Sequence, residues 1–140
     1  MTLPSRYPEV TVSGSPRQMG EQIGEALREQ IRGFDAVALE RVRKTVHVSR
    51  ERALGVARRC INDVRGYAPH MLQELEGMAH SSAVDIERLM LLQIRNQLRP
   101  DDPGAGGGCT SFALHESTGG SIVGQNWDND PGLDLFTIVL

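Results

Sequence analysis

An α+β fold is predicted for this chain, and two observations predict it. Apolar residues recur every three or four positions through most of residues 1–98, the spacing of helices packed on one face. From Thr110 onward they recur every second position, the spacing of strands. Between the two regimes lies a helix-breaking loop, Arg99-Pro100-Asp101-Asp102-Pro103-Gly104-Ala105-Gly106-Gly107-Gly108, with two prolines and four glycines.

Taken in order, Glu9-Val10-Thr11-Val12 is a short β-like run, followed by the turn-prone Ser13-Gly14-Ser15-Pro16. Ser15 can cap a helix with Pro16 at its first position, where a missing N–H costs nothing. Met19, Ile23, Leu27 and Ile31 then recur every four residues and predict one buried helical stripe. Gly20 and Gly24 lie one turn apart on that helix and predict close packing. A second helix begins near Ser49, with Leu54, Ala57, Ile61, Val64 and Ala68 on its apolar face, and Pro69 interrupts it. Met71, Leu72, Leu75, Met78 and Ala79 form another short stripe. Asp85 is placed to cap a further helix that carries Ile86, Leu89, Met90 and Ile94.

After the loop, Thr110, Phe112 and Leu114 alternate with Ser111, Ala113 and His115. Ser117-Thr118-Gly119-Gly120 reads as a hairpin turn, residues 121–127 as the returning strand and Asp130-Pro131-Gly132 as a second turn. Residues 133–140 are expected to begin a third strand. A chain that stops within Phe136-Thr137-Ile138-Val139-Leu140 leaves an exposed sheet edge, so the sequence is expected to be part of something longer. A complete small protein is the alternative.

Composition narrows the classes. No apolar run approaches the roughly 20 residues of a spanning helix, and no secretory signal is recognisable, so a cytoplasmic protein without membrane contact is expected. Two cysteines, Cys60 in a helical stripe and Cys109 in a glycine-rich loop, do not form a disulfide framework. The net charge of −3 conceals a division: all 15 basic residues precede residue 100, and four acidic residues but no basic ones follow Gly108. Residues 41–65 hold eight Lys/Arg against two acidic residues. A solvated helix face accounts for this run, and no nucleic-acid motif accompanies it; duplex binding by this face is kept as a distant rival.

The informative stretch is Gly106-Gly107-Gly108-Cys109-Thr110-Ser111-Phe112, followed by Gly124-Gln125-Asn126-Trp127-Asp128. A phosphate-binding loop needs Lys where Cys109 stands, and a dinucleotide fingerprint needs glycine there, between a strand and a helix. His47, His70, His80 and His115 show no zinc-ligand pairing with either cysteine, so no metal is expected. What remains is a thiol at the head of a strand, after glycines that let it approach the preceding carbonyl. Attack of the Cys109 sulfur on the Gly108 carbonyl carbon would move the acyl group to sulfur, and water would release it. The new α-amine, with an ordinary pKa of about 7.7–8.0, can then act as general base for its own thiol.

These segments resemble the acyl-coenzyme A:6-aminopenicillanic acid acyltransferase family of N-terminal-nucleophile hydrolases. The family's pattern is a Gly-Cys-Thr-Ser/Thr cleavage site followed, one hairpin later, by Gly-Gln-Asn-Trp-Asp. Gly14-Ser15-Pro16, Gly20, Gly24 and Glu74-Leu75-Glu76-Gly77-Met78-Ala79 are similar to its helical segment. The resemblance implies an αββα sandwich, of which this chain holds the helical N-terminal segment and first strands. Residues 1–108 would form the prosegment or α-subunit, and residues 109–140 the truncated start of the nucleophile-bearing β-subunit.

It further implies that Cys109 is the cleavage and catalytic nucleophile, that Gly108 supplies the scissile carbonyl and that Asp128 positions the new N-terminus. Arg95 resembles an arginine of an Asn-x-Arg-Ser/Thr-Glu segment, the arginine alone matching. Thr110, Ser111 and Asn126 would support the site, with Trp127 as packing. The family's oxyanion-stabilising asparagine falls beyond the hairpin, outside these 140 residues.

The implied activity is hydrolysis of a linear amide, or acyl transfer, through a thioester on Cys109. The implied substrate is a small-molecule amide or acyl compound. No cofactor is expected, with acyl-coenzyme A as a conceivable co-substrate. The expected partner is the remaining β-subunit sequence, and a homo-oligomer is left open. The rival from another class is an inactive proenzyme fragment, or a helical interaction module without catalysis.

Overall fold

The computed structural model describes residues 7–45, 47–95, 98, 110–126 and 131–140. They form an α+β arrangement: five helices, an antiparallel hairpin and a final 3-10 helix. The helices are α1 (Pro16–Ala26), α2 (Arg28–Thr45), α3 (Arg50–Tyr67), α4 (Pro69–Ser82) and α5 (Ile86–Ile94). The hairpin is β1 (Thr110–Ser117) and β2 (Gly120–Asn126), and the 3-10 helix spans Pro131–Phe136. Among the described residues, no helix is long and apolar enough to cross a membrane.

The helix starts follow local chemistry. Ser15 accepts from the Gln18 amide while the Gln18 side chain accepts from the Ser15 amide at 2.9 Å, a reciprocal capping box in front of Pro16. Ser49 caps α3 by accepting from the Arg52 amide. Pro69 ends the α3 pattern at Ala68 and becomes the first residue of α4. Asp85 precedes α5 as expected, but its side chain makes no capping hydrogen bond.

Three glycines decide how α1 and α4 pack. A Cβ added to Gly20 would fall 1.9 Å from the Glu74 carbonyl oxygen, and one on Gly77 would fall 2.2 Å from the Arg17 carbonyl oxygen. One on Gly24 would fall 2.7 Å from the Met78 carbonyl oxygen. The two helices therefore meet main chain to main chain, which only residues without a side chain permit. Around this contact Ala53, Ala57, Ile61, Leu72, Leu75, Leu89 and Leu91 of α3, α4 and α5, with Val84 from the connection between α4 and α5, form the buried core.

Two expectations are corrected. The Met19–Ile31 stripe is not one straight helix: Leu27 leaves helical geometry (φ −117°, ψ 23°) and divides α1 from α2. The stripe survives because hydrogen bonds from Leu27 to Ile23 and from Ile31 to Leu27 bridge the break at 2.9 Å each. Arg28 and Arg32 then hold α2 to the end of α4, their Nε atoms donating to the Ser81 and Ser82 carbonyls at 3.0 and 2.8 Å. The bend lets α1 lie on α4 backbone to backbone while α2 turns away.

The predicted third strand at residues 133–140 is instead a 3-10 helix followed by an extended end. Spacing explains it. Leu133 is buried and Phe136 stacks on Phe34 with ring centroids 5.7 Å apart. Residues three apart share a side in a 3-10 turn but face oppositely in a strand. Strand pairing survives only as a parallel bridge between Glu9 and Val139, where the Val10 amide donates to the Val139 carbonyl and the Val139 amide to the Pro8 carbonyl.

Gly20→Ala should lower unfolding free energy by about 2–3 kcal/mol, the cost of forcing a methyl group into a packed backbone contact. Gly66→Ala, where an added Cβ meets nothing within 4 Å, should raise it by about 0.5–1 kcal/mol. Urea unfolding followed by circular dichroism distinguishes the two, and equal effects would contradict the packing described.

Candidate functional site

The hairpin lies between the two sequence motifs, and its register relates them. Thr110 is opposite Asn126, Ser111 opposite Gln125, and Phe112 opposite Gly124. Thr110, Ser111 and Asn126 are all exposed. Gly108, Cys109, Trp127 and Asp128 lie outside the described residues. The hairpin thus brings together the residue after Cys109 and the residue two before Asp128.

The hairpin turns at Thr118 and Gly119, as expected, with Gly120 at φ 100°. An irregularity between Leu114 and Ser117 puts Glu116 at a left-handed φ of 61°. Opposed residues share a face, so Phe112, Leu114 and Ile122 lie on one side with Thr110 and Asn126. The Phe112 ring covers Gly124, where a Cβ would come within 2.5 Å of it. Val123 and Ala113 lie on the other side. Phe112 is 60% exposed and Val123 77% exposed, so apolar side chains meet solvent on both faces.

The structure places Arg95 apart from these residues' strands, at the C-terminal cap of α5. It lines an apolar pocket of about 250 Å³ bounded by α1, α2, α4, α5 and the last residues of the chain. Ile23, Leu27, Phe34, Leu89 and Phe136 supply apolar wall, and Gln30 and Gln93 supply amides. The Arg95 guanidinium sits 4.8 Å from the centre of the Phe34 ring and donates through Nη1 to the Leu92 carbonyl at 2.5 Å. Partial burial pulls its pKa below the ordinary arginine value.

Arg88, two turns earlier on the same helix, is held differently. It grips the buried Asp35 of α2 with both arms, Nε at 2.8 Å and Nη2 at 2.5 Å from the two carboxylate oxygens. Arg95 has no such carboxylate among the described residues. In the basic run, Lys44 pairs with Glu40 and Arg58 with Glu87, whose carboxyl the Arg58 hydrogen bond holds below its ordinary pKa.

The sequence reading did not anticipate the pocket. Phe34 continues the Leu27–Ile31 spacing by three and could have been found by extending that stripe. Phe136 falls in a segment whose composition reads as a strand, and Gln30 and Gln93 carry no sequence signal of their own. No protein-family profile matches the chain, and no curated protein matches it.

Removing each arginine should separate their roles. Arg88→Met leaves Asp35 buried without a partner and should cost about 3 kcal/mol or more. Arg95→Met strands no carboxylate and should change stability by less than about 1 kcal/mol. Denaturant titration of both variants checks this, and an equal loss would place a structural counter-charge at Arg95.

Proposed function

We propose that the chain is the helical segment and first hairpin of a self-cleaving N-terminal-nucleophile amidohydrolase or acyltransferase, similar to the acyl-coenzyme A:6-aminopenicillanic acid acyltransferases. The observation that carries the reading is the hairpin register. Thr110 opposite Asn126 and Ser111 opposite Gln125 put the described parts of the two motifs on adjacent strands, which supports reading them as one site. The exposed apolar residues on both hairpin faces support it further. In an αββα sandwich each sheet is covered by helices on one side and by the second sheet on the other.

The chemistry assigned to Cys109 is nucleophilic. Its sulfur attacks the Gly108 carbonyl carbon, the Gly108–Cys109 C–N bond breaks, and the proton given up by the thiol passes to the departing nitrogen, which leaves as the free amine of Cys109. Water then hydrolyses the thioester, leaving a carboxylate on Gly108 and a free thiol. In turnover the same amine takes the thiol proton as the sulfur attacks a linear amide or an acyl-coenzyme A, and returns it to the leaving group. Asp128 orients the amine. Thr110, Ser111 and Asn126 lie on the hairpin strands beside these groups in the sequence.

Intact-mass measurement of freshly purified protein under reducing conditions should give two chains, residues 1–108 and 109–140. Cys109→Ala should remain a single chain, and Cys109→Ser should cut more slowly, since a hydroxyl is the weaker nucleophile near neutral pH. Cleavage that persisted in Cys109→Ala would remove the thiol from the mechanism. An uncut parent chain, also uncut when extended by its following sequence, would favour the non-catalytic helical module.

A further inference from the structure

We propose that the pocket between α1, α2, α4 and α5 binds an aliphatic carboxylate, its chain among the apolar wall residues and its head group on Arg95. Three observations converge. The cavity, about 250 Å³, exceeds the roughly 150 Å³ that suffices for a small aromatic ligand in an apolar protein cavity. Its wall is Ile23, Leu27, Leu89 and Phe136, which offer an alkyl chain nothing but dispersion and water exclusion. At its rim stands a partly desolvated guanidinium that no carboxylate of the described residues neutralises.

The head group follows from the donors. Arginine has five N–H donors in a planar fork, and the Leu92 carbonyl takes one. The Arg95 Cζ lies over the Phe34 ring at 4.8 Å, and the donors that Leu92 does not take can present two parallel N–H groups to a planar carboxylate. Gln30 and Gln93 are among the residues that line the same cavity, and an amide from either could donate to a second oxygen lone pair. One cation balances one carboxylate charge, whereas a phosphate monoester, at about −1.5 to −2, would bring charge that the lining does not neutralise. The wall formed by residues 136–140 is fixed by the Val139 bridge and the Phe34–Phe136 stack.

This site requires neither Cys109 nor bond cleavage, so its test and that of self-cleavage fail independently. Isothermal titration of the full chain with sodium hexanoate, octanoate and decanoate below their micelle concentrations should show one site. Affinity should rise about three- to fourfold per methylene. Neutral 1-decanol should bind at least tenfold more weakly than decanoate, a comparison made on the unaltered protein. Arg95→Met, with its unchanged fold verified by circular dichroism, should lose tenfold or more towards decanoate and little towards 1-decanol. Absence of decanoate binding, equal affinity for the alcohol, equal binding by Arg95→Met, or tighter binding of decyl phosphate would each overturn the assignment.

Discussion

Main-chain contact between α1 and α4 is the constraint on which the helical body depends. Side chains normally hold helix axes 8–10 Å apart, and Gly20, Gly24 and Gly77 remove them where the two helices touch. With α1 seated that closely, Ile23 and Leu27 reach into the space beside α5. The bend at Leu27 follows as well: α1 stays against α4, while α2 needs a different direction to bring Phe34 and Asp35 towards α5. The glycine contact therefore helps to shape the cavity beside α5.

Charge placement along α5 completes the picture. Arg88 is spent on Asp35, tying α5 to α2 through a buried two-armed ion pair. Arg28 and Arg32 meet the final carbonyls of α4, where the helix leaves acceptors without helical partners and its dipole favours cations. Arg95 follows neither pattern: among the described residues it meets a ring and one carbonyl and no carboxylate, and it lines the pocket.

Much of the architecture was legible because it rests on short-range chemistry. Ser15-Pro16, Ser49 and Ala68-Pro69 fix helix ends within a few residues, and Thr118-Gly119 fixes the hairpin turn. The α+β class follows from the change of period alone. What failed depended on contacts distant in sequence. The break at Leu27 preserves the four-residue spacing, so periodicity could not reveal it. Residues 133–140 read as a strand by composition, yet Leu133 is buried and Phe136 is drawn onto Phe34, about a hundred residues away. At the site the turn was legible but the register was not: the irregularity between Leu114 and Ser117 shifts the pairing by one residue and so sets Thr110 opposite Asn126. Nor was the pocket legible, because its wall is assembled from four helices and the chain's last residues.

The bridge at Val139 bears on what a severed backbone would do. In the continuous chain, Pro8 and Val10 meet Val139 as parts of one molecule, with Tyr7 donating to Asp134 at 2.9 Å alongside. Their effective concentration is set by the tether and is insensitive to dilution. A break in the loop before Thr110 would make the same contact bimolecular. The hairpin offers little to hold the pieces, since nearly all its described residues face solvent. Among the described residues, retention would then rest on the 3-10 helix against α2, the Tyr7–Asp134 hydrogen bond, this bridge and the last residues at the pocket wall, all of which dilution would weaken.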